Sequence, residues 1–186
     1  QSATSHQITV QASDGVLTST ANFLILVTDV APSVPVDSDG AVNFVAENAI
    51  NGASVGLTAS SSNPHGGSVT YSLTNDAAGR FTIDSGTGVV TVANASLLDF
   101  ESASSHQITV QASDGSLTSA ASFTIAVGNV APSAPTDSDP ATNSVAENVT
   151  NGASVGVTAS STDPHGGTVT YSLTNDAGGR FTINAS

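Results

Sequence analysis

The eleven residues SHQITVQASDG occur twice without a change, at positions 5–15 and 105–115. When residues 1–86 are laid over 101–186 without a gap, 62 of the 86 positions are identical. Self-similarity at a fixed spacing is the sequence signature of a repeat protein, in which each repeat is one structural unit. The spacing of about 100 residues is an ordinary size for a domain. We therefore expect tandem repeats of about 100 residues.

Short segments of alternating polar and apolar residues occupy the repeat, and Gly, Asn and Asp cluster between them as in tight turns. No segment keeps the period of an amphipathic helix. The pattern predicts seven strands, at 43–47, 54–58, 68–74, 80–83, 88–93, 106–112 and 120–127. Seven short strands at this spacing indicate an all-β fold, an antiparallel seven-stranded sandwich of the immunoglobulin-like type.

Two proline-containing connectors, at 31–35 and 131–135, divide the chain into three parts. We expect 1–30 to be the C-terminal part of a truncated repeat and 31–130 to be one complete repeat. Residues 131–186 are then the N-terminal part of the next repeat, with its first four strands. Residues 37–40, just after the first connector, are predicted to form a loop.

Residues 1–30 are predicted to hold two strands, at 7–12 and 21–27, separated by a turn at 13–15. Such a hairpin is the kind of element that 131–186 lack. Because these two segments lie at opposite ends of the complete repeat, they cannot easily meet within one chain. Open strand edges invite pairing with another chain. The expected partners are neighbouring repeats of the same protein, with head-to-tail self-association through the incomplete terminal repeats as one arrangement.

The charge balance excludes several classes of partner. The chain has fifteen acidic residues, two arginines and no lysine, for a net charge of −13. Nucleic acid is excluded because almost nothing could neutralise phosphate groups. No apolar run is long enough to predict membrane insertion. The acidic residues either keep chains apart in solution or gather around a cation, and their positions must decide between these interpretations.

No catalytic constellation stands out in the sequence. The four histidines are two repeat-equivalent pairs, His6/His106 and His65/His165, and they fall in different loops or strand ends. Neither a zinc-protease H-E-x-x-H motif nor a G-x-S-x-G serine elbow is present. The sequence therefore favours a protein that is not an enzyme.

Several motifs occur in a consistent order: VAEN at 45–48, PHGG at 64–67, VTYSL at 69–73, GRFTID at 79–84, LDFE at 98–101 and ITVQASD at 108–114. Together they resemble a cadherin-like repeat, and most closely the tandem repeats of very large bacterial surface and secreted proteins such as adhesins. The resemblance implies a seven-stranded cadherin-like sandwich, an extracellular or cell-surface location, and calcium bound at the junctions between successive domains.

The resemblance also implies a set of calcium ligands. Two positions of this sequence depart from the family pattern. His65 and His165 occupy the position of the second acid in the family's Asp-x-Asp motif. At the junction between 31–130 and 131–186, the implied ligands are Glu47, Asp99, Glu101, Asp163 and the carbonyls near Asn129. At the first junction they are Asp29, Asn63 and Asp114.

These observations predict a structural or adhesive extracellular repeat array. It would act as a stalk, a spacer or a fibre-forming segment, with Ca²⁺ stiffening its domain junctions. The alternative is an interaction module that binds a glycan or a partner protein directly. A contiguous exposed apolar or aromatic patch would favour the alternative, and the sequence does not reveal one.

Overall fold

The computed structural model describes residues 4–186, so the first three residues of the predicted 1–30 segment lie outside the described residues. The described residues form twelve strands and one short 3₁₀ helix at Ala95–Leu97. The strands are β1 (Ser5–Ser13), β2 (Thr18–Leu26), β3 (Val36–Asp37), β4 (Phe44–Ala46), β5 (Ser54–Ser60), β6 (Thr70–Asn75), β7 (Phe81–Ile83), β8 (Val89–Val92), β9 (Ser105–Ser113), β10 (Thr118–Gly128), β11 (Thr136–Asp137) and β12 (Ala159–Ser160). Among residues 4–186, no helix is long and apolar enough to cross a membrane.

Strands β3 to β10 form two four-stranded sheets, with the orders β4-β10-β9-β6 and β3-β5-β8-β7. All neighbours in the sheets are antiparallel except β4 and β10, which run parallel. A parallel pair needs a long crossover, and here the intervening strands supply it. The predicted all-β sandwich is confirmed, and each of the seven predicted strands overlaps an observed one.

The core lies between the two sheets. Inward-facing residues alternate along each strand, as in β9, where Ile108, Val110 and Ala112 are fully buried. Opposite them lie side chains from the other sheet, including Leu57 and Val90. Burial of one such side chain contributes roughly 1.5–3 kcal/mol, so this unit has a continuous core of its own.

The prediction of a loop at residue 37 was wrong. Asp37 belongs to β3 and pairs with Ala59 of β5, while Val36 pairs with Ser60. The Asp37 carboxylate also accepts a hydrogen bond from the backbone N–H of Thr58, at 3.2 Å. A strand of two residues is too short to show an alternating pattern. Its position is determined by contacts with β5 rather than by its own residues.

The prediction of four strands in 131–186 does not match the structure, because these residues, all described, contain only β11 and β12. In the complete unit, β4 pairs with β10, β6 with β9, and β7 with β8. The 131–186 segment has no counterparts of β8, β9 and β10. The backbone groups of the predicted strands therefore have no neighbour with which to form a ladder.

Strands β1 and β2 form a separate hairpin whose register repeats that of β9 and β10. Ser5 pairs with Leu26 and Ser13 with Thr18, as Ser105 pairs with Ala126 and Ser113 with Thr118. Both faces of this hairpin are exposed. The division of the chain into three repeat segments stays a prediction.

Candidate metal centre

Glu47 lies just after β4 and is fully buried. Its Oε2 accepts a hydrogen bond from the backbone N–H of Phe100 at 3.0 Å, and its Oε1 accepts one from the N–H of Val130 at 2.7 Å. A buried carboxylate is costly unless it is paired, and hydrogen bonds to a charged acceptor are among the stronger ones. Glu47 thus joins the loop before β9 to the connector after β10.

Three carboxylates gather at this end of the sandwich. Glu47, Asp99 and Glu101 each offer an oxygen that lies within 4.8 Å of the others. The loop that carries Asp99 and Glu101 is anchored by Leu98, which is fully buried in the core. The exposure of the cluster is graded, since Glu47 is buried, Asp99 is partly buried and Glu101 is exposed.

Asp99 is held by its own loop. Its Oδ2 accepts a hydrogen bond from the Ser102 hydroxyl at 2.6 Å, and its Oδ1 accepts one from the Ser102 N–H at 3.0 Å. The Ser102 hydroxyl, followed by the Ser102 N–H, lowers the pKa of Asp99, and His165 contributes in the same direction. Asp99 is therefore a fixed, ionised carboxylate.

The pKa of Glu101 shifts in the opposite direction. Its own backbone N–H lowers its pKa, but loss of solvation and the negative charges of Glu47, Asp163 and Asp99 outweigh this effect, so that the pKa is raised. Neighbouring like charges disfavour the ionised form of a carboxyl group. The cluster therefore carries an excess of negative charge that a bound cation would relieve.

The next repeat brings His165 and Asp163 to the same end. Nδ1 of His165 lies 3.8 Å from Oε2 of Glu47 and is buried, with no hydrogen-bond partner among residues 4–186. Oδ1 of Asp163 accepts hydrogen bonds from the N–H groups of His165 (3.0 Å) and Gly167 (3.1 Å). A Cβ at Gly167 would lie 3.0 Å from the Asp163 carboxylate carbon, so a side chain there would have to displace this carboxylate. Asn129 is exposed beside the connector.

The donor set fits a hard cation such as calcium, which takes about six to eight oxygen ligands. Glu47, Asp99 and Glu101 supply carboxylate oxygens that lie within 4.8 Å of one another. His165 contributes a nitrogen, which suits calcium less well than an oxygen. The carboxylates of Glu47, Asp99 and Glu101 are therefore better suited to calcium than His165 is.

The three residues predicted for the first junction, Asp29, Asn63 and Asp114, line one open cavity of about 590 Å³ together with His65. Oδ1 of Asp114 is engaged in the β9–β10 turn, where the N–H groups of Leu117 and then Ser116 lower the pKa of Asp114. The group of close carboxylates found among the described residues, Glu47, Asp99 and Glu101, lies at the other junction. The two junctions are therefore unequal.

Two features of the site were missed from the sequence. Glu47 is a buried residue that joins two segments, although its position carried a signal, because it lies two residues after the buried Val45 on the same face of the chain. The approach of His165 to Glu47 was not predicted as a contact, although the family resemblance had placed His165 at the second acid position of the Asp-x-Asp motif, two residues after the predicted ligand Asp163.

The complete unit is thus a two-sheet sandwich with an acidic cluster at one end. A family model described as the Cadherin domain matches residues 43–128, which include all but one of the strands in the two sheets. Residues 43–128 therefore resemble a cadherin domain. The predicted cadherin-like fold is confirmed.

Several known proteins are similar to this chain. Cadherin-related family member 1 of Xenopus laevis is 35% identical over 132 residues, which cover 64% of this chain and 15% of that protein. Human Protocadherin-24 EC1-2 (Form II) is 23% identical, with a TM-score of 0.51, over 75% of this chain and 64% of that one. Mouse clustered PcdhgC3 EC1-3 is 27% identical, with a TM-score of 0.45, over 68% of this chain and 44% of that one. The chain spans only a small part of its curated relative, and the human structure supports the fold alone.

Proposed function

We propose that this chain is a segment of an extended extracellular array of cadherin repeats, which serves as a stalk or spacer. Calcium holds the junction between residues 31–130 and 131–186. The observation that carries the proposal is the cluster of Glu47, Asp99 and Glu101, whose oxygens lie within 4.8 Å of one another beside the connector to the next repeat. The division into segments 1–30, 31–130 and 131–186 is part of the proposal.

The anchoring of the connector at 131–135 indicates that the junction bends little. On one side, the N–H of Val130 donates to Glu47. On the other, the N–H of Ser133 donates to the carbonyl of Thr162 at 2.9 Å. Only two residues, one of them Pro132, separate these anchor points, and proline restricts the backbone further. A cation bound beside Glu47 would fix this short linker at its preceding end.

The ligands we propose at this junction are Glu47, Asp99 and Glu101, completed by Asp163 and by carbonyl groups near Asn129. Asp29, Asn63 and Asp114 form a weaker candidate at the first junction. The surface of a bacterial adhesin-type protein is the setting that we propose. The near-identical repeats and the scarcity of basic residues support it, whereas the curated relative comes from a frog.

Calorimetric titration of the 186-residue chain with CaCl₂ tests this proposal. We expect binding at the second junction with a Kd on the order of 10⁻⁴–10⁻³ M, the range of extracellular calcium modules. Glu101→Gln should weaken it at least about tenfold, because a carboxylate ligand is lost. Asp114→Asn, which removes the same charge at the first junction, is the matched control and should change the Kd little.

Small-angle scattering of dilute samples tests the stiffening. With calcium, the maximum dimension should be longer and better defined than with a chelator. Absence of calcium binding, or binding that Glu101→Gln does not weaken, would contradict the site. Binding with an unchanged maximum dimension would contradict the mechanical role alone.

A second candidate function is fibre formation by head-to-tail self-association of chains. The observation that favours it is a pair of exposed apolar surfaces at opposite ends of the molecule: the hairpin β1–β2, and an open groove in residues 131–186. Large exposed apolar patches mark interaction sites in proteins.

A further inference from the structure

We propose that one face of the sheet β4-β10-β9-β6 binds a neutral glycan, with the ring of Phe44 as the platform on which a sugar ring stacks. This outward face is the side of the sheet turned away from the core, and it carries Phe44, Ser105, Gln107, Thr124 and Ala126. The inference goes beyond the spacer function and does not depend on the calcium site.

Phe44 is an exposed aromatic side chain in β4. It is 48% exposed, whereas its neighbour Val45 is 4% exposed and belongs to the core. Because successive side chains of a strand point to opposite faces of the sheet, the ring of Phe44 stands on the outward face. Both four-stranded sheets of this unit are present around it, so the ring is not exposed for lack of a neighbouring strand.

The backbone of β10 holds this ring in place. Phe44 pairs with Ala126, and its ring extends along β10 to Gly128. A Cβ at Gly128 would lie 2.3 Å from Cζ of Phe44 and 2.5 Å from Cε2, so the ring occupies the space that a side chain would take. A ring that is already seated loses little conformational freedom when a ligand binds.

The side chains around the ring are polar and uncharged. Ala126, the partner of Phe44, also pairs with Ser105 of β9. Two residues earlier in β10, Thr124 pairs with Gln107, and Ser105, Gln107 and Thr124 are all exposed. The C–H groups of a sugar pack against the negative face of an aromatic ring, and its hydroxyls exchange hydrogen bonds with hydroxyl and amide side chains. The outward face offers both kinds of group.

Charge restricts the ligand to a neutral glycan. The four strands of this sheet, all described, contain no Asp, Glu, Lys or Arg, although the chain has a net charge of −13. Their histidine, His106, pairs with the buried Ile125 and therefore faces the core. An anionic glycan would be repelled by the acidic chain, and no basic side chain in these four strands could offset that repulsion.

The size of the apolar area favours a sugar over a protein partner. A stable protein interface buries roughly 800 Å² on each partner, and the centre of such an interface is apolar. Within the four described strands of this sheet, Phe44 is the one large apolar residue on the outward face. A single aromatic ring matches a single sugar ring in size. The outward face therefore fits a glycan better than an apolar protein surface.

The next copy of the β4 motif lacks the ring. Residues 43–48 read NFVAEN and residues 143–148 read NSVAEN, so that Ser144 stands at the position of Phe44 and the two segments differ nowhere else. The ring is therefore a feature of one copy and not a constant part of the repeat. Phe44→Ser, which introduces the residue of the other copy, is accordingly the variant that tests the platform.

Affinity electrophoresis of the 186-residue chain in native gels tests the inference. The gels contain galactomannan, xyloglucan or hydroxyethyl cellulose as neutral polysaccharides, or alginate as an anionic one. We expect at least one neutral polysaccharide to retard the chain, and alginate not to. Phe44→Ser should raise the Kd for that polysaccharide at least about tenfold, because the stacking surface is lost. Val36→Thr is the matched control: it replaces an exposed residue of the other sheet by its counterpart, Thr136, and should leave the retardation unchanged.

Two further variants separate the position of the ring from its presence. Gly128→Ala keeps the aromatic side chain but displaces it, because the added Cβ would collide with the ring of Phe44. It should weaken the retardation, whereas Phe44→Tyr keeps an aromatic face and should retain it. Thermal unfolding of each variant shows that the chain remains folded.

Several results would overturn the glycan platform. Retardation by none of the three neutral polysaccharides would do so, as would retardation that Phe44→Ser leaves unchanged. Self-association of the chain in sedimentation that Phe44→Ser abolishes would assign the ring to a protein interface instead. None of these results bears on the calcium-bound spacer, which the calorimetric titration with CaCl₂ tests separately.

Discussion

Strands β1 and β9 have the same sequence but different environments. Ile8 is 46% exposed, whereas Ile108 is buried at 0%. Both strands form hairpins of the same register with the strand that follows. Hairpin pairing is thus specified by the local sequence, while burial depends on the other sheet, which only β9 has. The comparison separates local from long-range contributions to this fold.

Residues 131–186 also separate local from long-range contributions, here for the strands that pack against the hairpin in the complete unit. Their short-range contacts repeat those of the complete unit: Asp137 accepts from the N–H of Thr158 at 3.0 Å, and the N–H of Ser161 donates to the Tyr171 hydroxyl at 3.0 Å. The counterparts in the complete unit measure 3.2 and 2.9 Å. Contacts within about thirty residues are therefore retained, and those with the second sheet are absent among these described residues.

The largest effect that we expect in this comparison is in the core. Ile108→Ala should lower the free energy of unfolding by about 2–5 kcal/mol, because it removes a fully buried side chain and leaves a cavity. Ile8→Ala is the matched control and should change the stability by less than about 1 kcal/mol in dilute solution. Urea unfolding followed by circular dichroism measures both. Similar losses at the two positions would show that β1 is buried in solution.

A smaller effect should distinguish two equivalent glutamates. Glu47→Gln replaces one of the two buried carboxylate oxygens by an NH2 group, so either Phe100 N–H or Val130 N–H loses its acceptor and we expect a loss of about 1–3 kcal/mol. Glu147, its counterpart one hundred residues later, is exposed, and Glu147→Gln should change the stability by less than about 0.5 kcal/mol. Calcium-free thermal unfolding separates this structural role from metal binding. Equal changes at both positions would contradict it.

The smallest effect concerns pH. Burial, followed by the positive charge of Arg80, lowers the pKa of His106 below its usual value near 6.5. The folded state therefore binds this proton less readily than the unfolded chain, so stability should fall as pH drops below about 6.5 and level off below the folded pKa. His106→Gln should reduce the change in Tm between pH 8 and pH 5. His6→Gln, at an exposed position, is the control, and an equal reduction there would rule out His106 as the cause.

The sequence was informative where short-range patterns determine the structure. Alternation located the strands on both sides of the core, and turn residues located the loops between them. The two-residue strand β3 was missed, because its pairing with β5 leaves no pattern of its own. The absence of a strand around Leu173 was also missed, since alternation reports the preference of a segment and not the presence of its partner.

The candidate site divides in the same way. The LDFE motif placed Asp99 and Glu101 together through the family resemblance, and the structure brings them to Glu47. The resemblance also placed His165 at a ligand position of this junction, but its distance from the buried Glu47 could not be predicted, because the contact combines a turn from one segment with an acid from another. Contacts between repeats depend on the connector geometry, which a pattern within one repeat does not describe.

Residue-resolved hydrogen exchange compares the two copies of SHQITVQASDG most directly. Their identical sequence gives nearly equal intrinsic exchange rates, so the ratio of observed rates reports the difference in opening free energy. In dilute solution, the amides of 108–112 should exchange at least about a hundredfold more slowly than those of 8–12. Equal protection of the two copies would contradict the account that partners, and not the local sequence, bury these strands.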